Sequence, residues 1–238
     1  GCQTFEISDT PAIVKIAQAN GIRTILDNTW GAGLHYRPLD LGVDISLQAL
    51  TKYAVGHADA FGGAVMSNDT HVAQMIAETA DDWGLSLAPD DAYLALRGLR
   101  SLKTRLTAHE AAGLEIANWL VHRPEVAQII HPALPSHPDH ANWKRDFSGS
   151  NGLFGFILHE VSTDSLNRFF QTLDLFGMGF SWGGYESLII PCDQQLRRRQ
   201  GDWTETRAGP LLRIHVGLED VGDLIGDLEK GFQAMAET

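Results

Sequence analysis

The chain has 238 residues, of which 44% are hydrophobic and 20% charged, the proportions of a globular protein with room for one large domain or two smaller ones. A formal net charge of −12 repels phosphate backbones and argues against a nucleic-acid partner. No apolar stretch approaches the roughly 20 residues that a membrane-spanning helix needs, so no membrane partner is expected.

Thr10-Pro11 reads as an N-cap followed by a first-turn proline, opening a helix that runs to Ala19 and stops at Asn20-Gly21. Arg23 to Asp27 reads as a short buried strand, Val43 to Leu47 as a second and Ala60 to Ser67 as a third. Strands alternating with helices predict a parallel sheet with its ligand beyond the carboxyl ends of the strands. Asp27 and Lys52 both follow predicted strands, which sets them on the same edge. Asp69 to about Asp82 predicts a helix. Pro89-Asp90-Asp91 then opens a longer one through Leu94, Leu99, Leu102, Leu106 and Leu114, with leucines as core and arginines as a solvated face. His122-Arg123-Pro124 ends it. A domain boundary is expected inside this helix, giving residues 1–98 and 99–238. Beyond it, Gly152 to Glu160 and Leu211 to Val216 read as strands, Thr163 to Leu173 and Asp220 to Met235 as helices. Arg197-Arg198-Arg199, the one basic run, reads as a solvated turn.

Cys2 and Cys192 are too few for a disulfide framework and fit a reducing compartment, so a cytoplasmic protein is expected. The opening residues show neither a charged leader nor an apolar signal region. With no initiator Met, the chain is expected to begin after something has been removed.

Three groups of residues could carry chemistry. Thr51-Lys52-Tyr53 precedes Gly56-His57 and Gly62-Gly63, and Asp27 ends the apolar run Thr24-Ile25-Leu26. A lysine in a glycine-rich turn suits an amine that holds an aldehyde cofactor. An aspartate at a strand end suits a partner for a protonated pyridine nitrogen, and the Thr51 hydroxyl can reach a phosphate. Together these are the fixed points of a pyridoxal phosphate site, whereas each alone reads as a surface or loop residue. Arg213 stands in the apolar run Leu211 to Val216, so its guanidinium either pairs with an internal carboxylate or receives that of a substrate. Ser181-Trp182-Gly183-Gly184-Tyr185-Glu186-Ser187 describes a tight turn that either presents groups to a ligand or packs for stability. His131, His137 and His140 lack the paired spacing of a zinc site, and no Gly-x-Ser-x-Gly elbow is present.

Asp27-Asn28-Thr29-Trp30, Leu50 through His57 and the 181–187 turn resemble the Cys/Met-metabolism family of pyridoxal phosphate enzymes. His131-Pro132-Ala133-Leu134-Pro135, Trp143-Lys144-Arg145-Asp146-Phe147 and Gly217-Leu218-Glu219-Asp220-Val221 extend the resemblance along the chain. It implies an α/β fold, the pyridoxal phosphate-dependent transferase fold of type I, with part of a large cofactor domain and a smaller α+β domain. It implies that Lys52 is the Schiff-base lysine, Asp27 the pyridinium partner and Thr51 a phosphate contact, with an amino-acid substrate held by Arg213, Ser181 and Trp182. Trp182 and Tyr185 resemble the bacterial cystathionine β-lyase branch, which cleaves a carbon–sulfur bond, rather than the γ-acting branches. A homo-oligomer, a dimer of dimers, is expected by the same analogy. Leu50 and Ala58 depart from the family pattern, and Leu50 is expected to crowd the phosphate end. The resemblance covers roughly the last three-fifths of the family's length, without its N-terminal arm, phosphate loop and stacking tyrosine. Two readings stay open: a piece of a longer C–S lyase, or a remnant that folds or associates without catalysis. A broader cysteine-S-conjugate lyase or desulfhydrase is compatible with the same residues.

Overall fold

The computed structural model describes residues 3–196 and 207–236 of the chain. Cys2 and the Arg197-Arg198-Arg199 run therefore lie outside the described residues. Helix α1 (Thr10–Ala19) leads to strand β1 (Ile25–Asp27) and, through a short 3-10 turn, to β2 (Ile45–Ala49) and β3 (Gly63–Met66). Asp9, not Thr10, caps α1: its carboxylate accepts the Ala12 N–H, and Pro11 falls inside the first turn. β1 pairs with β2 in parallel, whereas β2 pairs with β3 antiparallel. The expected all-parallel sheet is thus corrected: residues 50–62 return the chain alongside the strand it has just left.

Helix α2 (Thr70–Asp82) begins at the Asp69 cap, which accepts the N–H groups of His71 and Val72. The single long helix expected from Pro89 is two helices, α3 (Pro89–Leu99) and α4 (Leu102–Val121). Arg100 and Ser101 donate back only three residues, to Arg97 and Gly98, which tightens the last turn and ends α3. The leucines divide as well. Leu106 is fully buried but Leu99 is 49% exposed, and Arg105, expected in solvent, is buried.

Strands β4 (Val126–Ile130), β5 (Leu153–Leu158), β6 (Gly177–Met178), β7 (Leu188–Pro191) and β8 (Leu211–His215) form a second sheet in the order β4-β5-β8-β7-β6. All its pairings are antiparallel except β6 with β7. Helices α5 (His140–Asp146), α6 (Thr163–Thr172) and α7 (Val221–Ala236) complete the chain. Side chains alternate across a strand, so β5 and β8 each serve two cores. Phe154, Phe156, Leu212 and Ile214 pack with Phe169 of α6 and Phe232 of α7. Leu153, Ile157 and Leu211 face the other way, against Tyr53, Leu106 and Trp182. That second face positions the site, and Arg213 and His215 alternate with Leu212 and Ile214 onto it.

Two polar ties join the sheets. Asn151 Nδ2 donates to Trp30 O at 2.6 Å, and Trp30 Nε1 donates to Leu153 O at 3.1 Å. The segment that follows Asp27 is therefore fastened to the start of β5.

Candidate active site

Parallel pairing of β1 and β2 brings both carboxyl ends to one edge, and the chain leaves that edge at Asp27 and at Lys52. The two side chains line a single cavity of about 490 Å³, together with Trp182, Thr29, Trp30 and Phe147. Thr29 joins the two strand ends. Its hydroxyl donates to Asp27 Oδ1 at 2.5 Å and accepts the Ala49 N–H at 2.9 Å, while its own N–H donates to the same Asp27 oxygen at 2.9 Å. Asp27 is thereby fixed in direction while remaining exposed to the cavity.

Lys52 sits in a tight turn whose ends are closed by Val55 N–H to Leu50 O and Gly56 N–H to Lys52 O. Its Nζ donates to Ser181 Oγ at 2.9 Å and lies 5.3 Å from the centre of the Trp182 ring, within cation–π range. Arg105 supports the turn from below: it donates to Tyr53 O at 2.7 Å, Ala54 O at 3.4 Å and Gly98 O at 2.8 Å. Gly56 (φ 75°) and Ala58 (φ 56°) follow in left-handed backbone, and a Cβ at Gly56 would strike the Arg105 guanidinium. Nothing in the residue pattern singled out Arg105; its helical spacing matches that of its solvated neighbours, and only the packing of α4 against the lysine turn buries it.

The 181–187 turn meets Lys52 from the other sheet. Gly183 (φ 81°) lies so close to the lysine turn that a Cβ there would be 2.8 Å from Tyr53 N and 3.1 Å from Lys52 Cα. Its far end is held by Glu219, which accepts the Ser187 N–H and hydroxyl, both at 2.7 Å. Beneath it, the buried Tyr53 ring contacts Trp182, His109 and His215 edge-on at 5.6, 5.3 and 6.0 Å. Burial pushes the Tyr53 hydroxyl well above its ordinary range. Burial first, and the neighbouring His109 second, pull His215 down to about 3. Neither histidine was singled out from the sequence, although His215 follows Arg213 at strand spacing.

Of the six expected site residues, Asp27, Lys52 and Trp182 share the cavity and Ser181 bonds Lys52. Thr51 and Arg213 do not line it. The Thr51 hydroxyl accepts the Gly62 N–H at 3.2 Å, and Arg213 Nη2 donates to Phe180 O at 2.5 Å from the face of β8 that carries His215. Tyr185 is 46% exposed, with its ring 6.3 Å from that of His57 and outside the cavity that Trp182 enters. Leu50 packs beside Val55, Ala60 and Ala95, so the expected crowding of the site is not seen in the cavity lining.

Residues 1–233 match the family model described as Cys/Met metabolism PLP-dependent enzyme. A relative from Rhizobium johnstonii named putative cystathionine beta-lyase is 45% identical over 98% of this chain and 59% of its own length. An L-alanine/L-glutamate racemase from Wolbachia pipientis wMel is 40% identical over 96% of this chain and 56% of its own. Among solved structures, a cystathionine gamma synthase from Xanthomonas oryzae pv. oryzae, in complex with aminoacrylate and cysteine, superposes with a TM-score of 0.88 at 33% identity, over 97% of this chain and 60% of that one. The chain thus spans about three-fifths of the length of the proteins it matches.

Proposed function

Because this chain belongs to the Cys/Met metabolism family of pyridoxal phosphate-dependent enzymes, whose type I fold it shares, we propose that the cavity between Asp27 and Lys52 serves a carbon–sulfur β-lyase acting on L-cystathionine. The single observation that carries this reading is the convergence of an amine, a carboxylate and an indole on one cavity of about 490 Å³, a volume suited to a small cofactor and its substrate. The residues fit the group: Lys52 Nζ is the amine for the aldehyde, and the exposed carboxylate of Asp27, oriented by Thr29, is the counter-charge for a pyridinium.

Pyridoxal phosphate, when bound, supplies a sink for the electron pair left at the substrate Cα. The remaining work belongs to the chain. Lys52 Nζ takes the Cα proton, with Ser181 Oγ holding the amine on the substrate side of the turn. The Cβ–S bond breaks, its electron pair leaves on the sulfur of the homocysteine half, and the proton held by Lys52 returns the thiolate to a thiol. The three-carbon half departs as aminoacrylate, which water converts to pyruvate and ammonia. Arg213 receives the substrate α-carboxylate on exchanging its bond to Phe180 O, the bidentate role a planar guanidinium suits. Trp182 closes the site with an apolar face. The Thr51 hydroxyl would reach the cofactor phosphate only on giving up its bond to the Gly62 N–H. We assign residues 1–98 to part of the cofactor domain and 99–238 to the smaller domain. A homo-oligomer is proposed by analogy with the family alone.

The test is incubation of the full chain and of Lys52→Ala with pyridoxal phosphate and L-cystathionine, reading the cofactor spectrum, thiol and pyruvate. Lys52-dependent release of both products is the expected result. Racemisation of alanine without thiol release would replace the lyase by the proton-transfer chemistry named for the Wolbachia relative. A chain with no Lys52-dependent spectrum would be a non-catalytic module.

A further inference from the structure

The turn that carries Ser181 and Trp182 has no regular strand or helix to stiffen it, yet it must hold Ser181 Oγ on Lys52 Nζ. β8 supplies the support. Arg213 and His215 are two apart on that strand and point to the same side. Arg213 holds Phe180 O, one residue before the turn. His215 is 1% exposed, and its Nε2 lies 3.1 Å from Gly183 N and 3.1 Å from Gly184 O. The Gly183 N–H points at Nε2, and one ring nitrogen cannot both accept that proton and donate to Gly184 O.

We propose that His215 is a positioning residue for the lysine site: its unprotonated Nε2 accepts the Gly183 N–H and so keeps Ser181 and Trp182 in register with Lys52. The assignment rests on the proposed cofactor site, which it deepens. Gly183 lies so close to the Lys52–Tyr53 backbone that a Cβ there would be 2.8 Å from Tyr53 N, so a bond there bears on how closely the two segments meet. The groups facing His215 favour a neutral ring. The His109 ring is 5.3 Å away, with its Nδ1 on Val216 O at 2.8 Å, the Tyr53 ring is 6.0 Å away, and Lys52 and Arg213 both act on it as cations. A charged ring would be buried among cations, so one ring nitrogen stays unprotonated across the physiological range, and the Gly183 N–H aimed at Nε2 assigns that role to Nε2. Trp182 and Ser181 act on the ligand; His215 acts only through them.

The experiment uses the full chain, 15N-labelled, with His215→Gln and His215→Met. Glutamine can return an oxygen acceptor to about the position of Nε2, and methionine fills the volume without a comparable one. In the unsubstituted chain the His215 Nε2 resonance should be that of an unprotonated ring nitrogen, unchanged between about pH 5 and 8. Amide exchange at Gly183 should speed up about tenfold in His215→Met, the loss of one buried hydrogen bond, and return to within about threefold in His215→Gln. The Trp182 indole resonance should move in His215→Met alone. The rate of Lys52-dependent capture of pyridoxal phosphate should fall about tenfold in His215→Met and recover in His215→Gln, at matched thermal midpoints. A protonated Nε2, or Gly183 exchange equal in all three proteins, overturns the inference. If the unsubstituted chain captures no cofactor through Lys52, the proposed function fails by itself, and the ring-nitrogen and exchange measurements still decide whether His215 holds the turn.

Discussion

The two sheets of this chain solve the burial problem differently. Every residue of β8 is buried, because α6 and α7 cover one face of its sheet while the lysine turn and α4 lie toward the other. The three-stranded sheet has no such cover: Ile25 of β1 is 64% exposed and Val65 of β3 49%. Apolar side chains in contact with water contribute little to stability, so the five-stranded sheet carries the larger share of the core. The candidate site draws on both. Asp27 and Lys52 come from the exposed sheet, and Ser181, Trp182, Arg213 and His215 from the buried one. The candidate site thus lies where the two sheets meet, and a fault in either sheet should be readable there.

The comparison can be broken most severely at Lys52. Lys52→Ala should abolish the Lys52-dependent cofactor band while leaving the thermal midpoint nearly unchanged, checked by absorbance and calorimetry on one sample. On the buried side, Phe156→Ala removes a fully buried ring from the five-stranded sheet and should cost about 4 kcal/mol in chemical denaturation. An effect below about 1 kcal/mol would place the main core elsewhere.

Acid should act on the same side. His131 is fully buried against Phe154 (ring centres 5.2 Å apart), and burial lowers its pKa from 6.5 to about 4. The unfolded chain therefore takes up this proton first as pH falls. The stabilisation due to a neutral His131 is complete above pH 6.5 and is lost progressively down to about 4, about 3 kcal/mol at about 1.4 per unit. Denaturation series at several pH values on His131→Gln should show a shallower slope by that amount, with His215 and His109 keeping theirs. Next in size is Arg105→Met, which removes the guanidinium from the carbonyls of Tyr53 and Ala54 while Gly98 O keeps Ser101; a loss of about 2 kcal/mol and a slower cofactor capture are expected. Ile25→Thr on the exposed sheet should change stability by less than about 0.5 kcal/mol. A larger loss would mean that this face is covered in solution.

Legibility from sequence divided along similar lines. Helices α1, α2, α6 and α7 were readable because caps, a first-turn proline and helical spacing are local signals. β5 and β8 were readable as apolar runs bounded by glycine or charge. β4, α5, β6 and β7 were not anticipated, since they are short and their patterns carry no cap or period strong enough to stand out from loop. The break at Arg100–Ser101 and the antiparallel β3 also escaped, because hydrophobic spacing reports which side of an element is apolar and says nothing of where the chain turns back.

The sequence by itself carried the family and the cofactor class, because several separated motifs resemble that family in the right order, and it set Asp27 and Lys52 after neighbouring strands. Tertiary structure alone decided which neighbours serve them. Thr29 ties Asp27 to Ala49 only once β1 and β2 pair, and Arg105 becomes the support of the lysine turn 52 residues before it, as His215 becomes the partner of Gly183 32 residues before it, only once the chain has folded back. Thr51 and Arg213 are placed outside the cavity by the same packing. Local chemistry points to the candidate groups, whereas their orientation is a property of contacts between segments apart in the chain, which residue type and spacing do not encode.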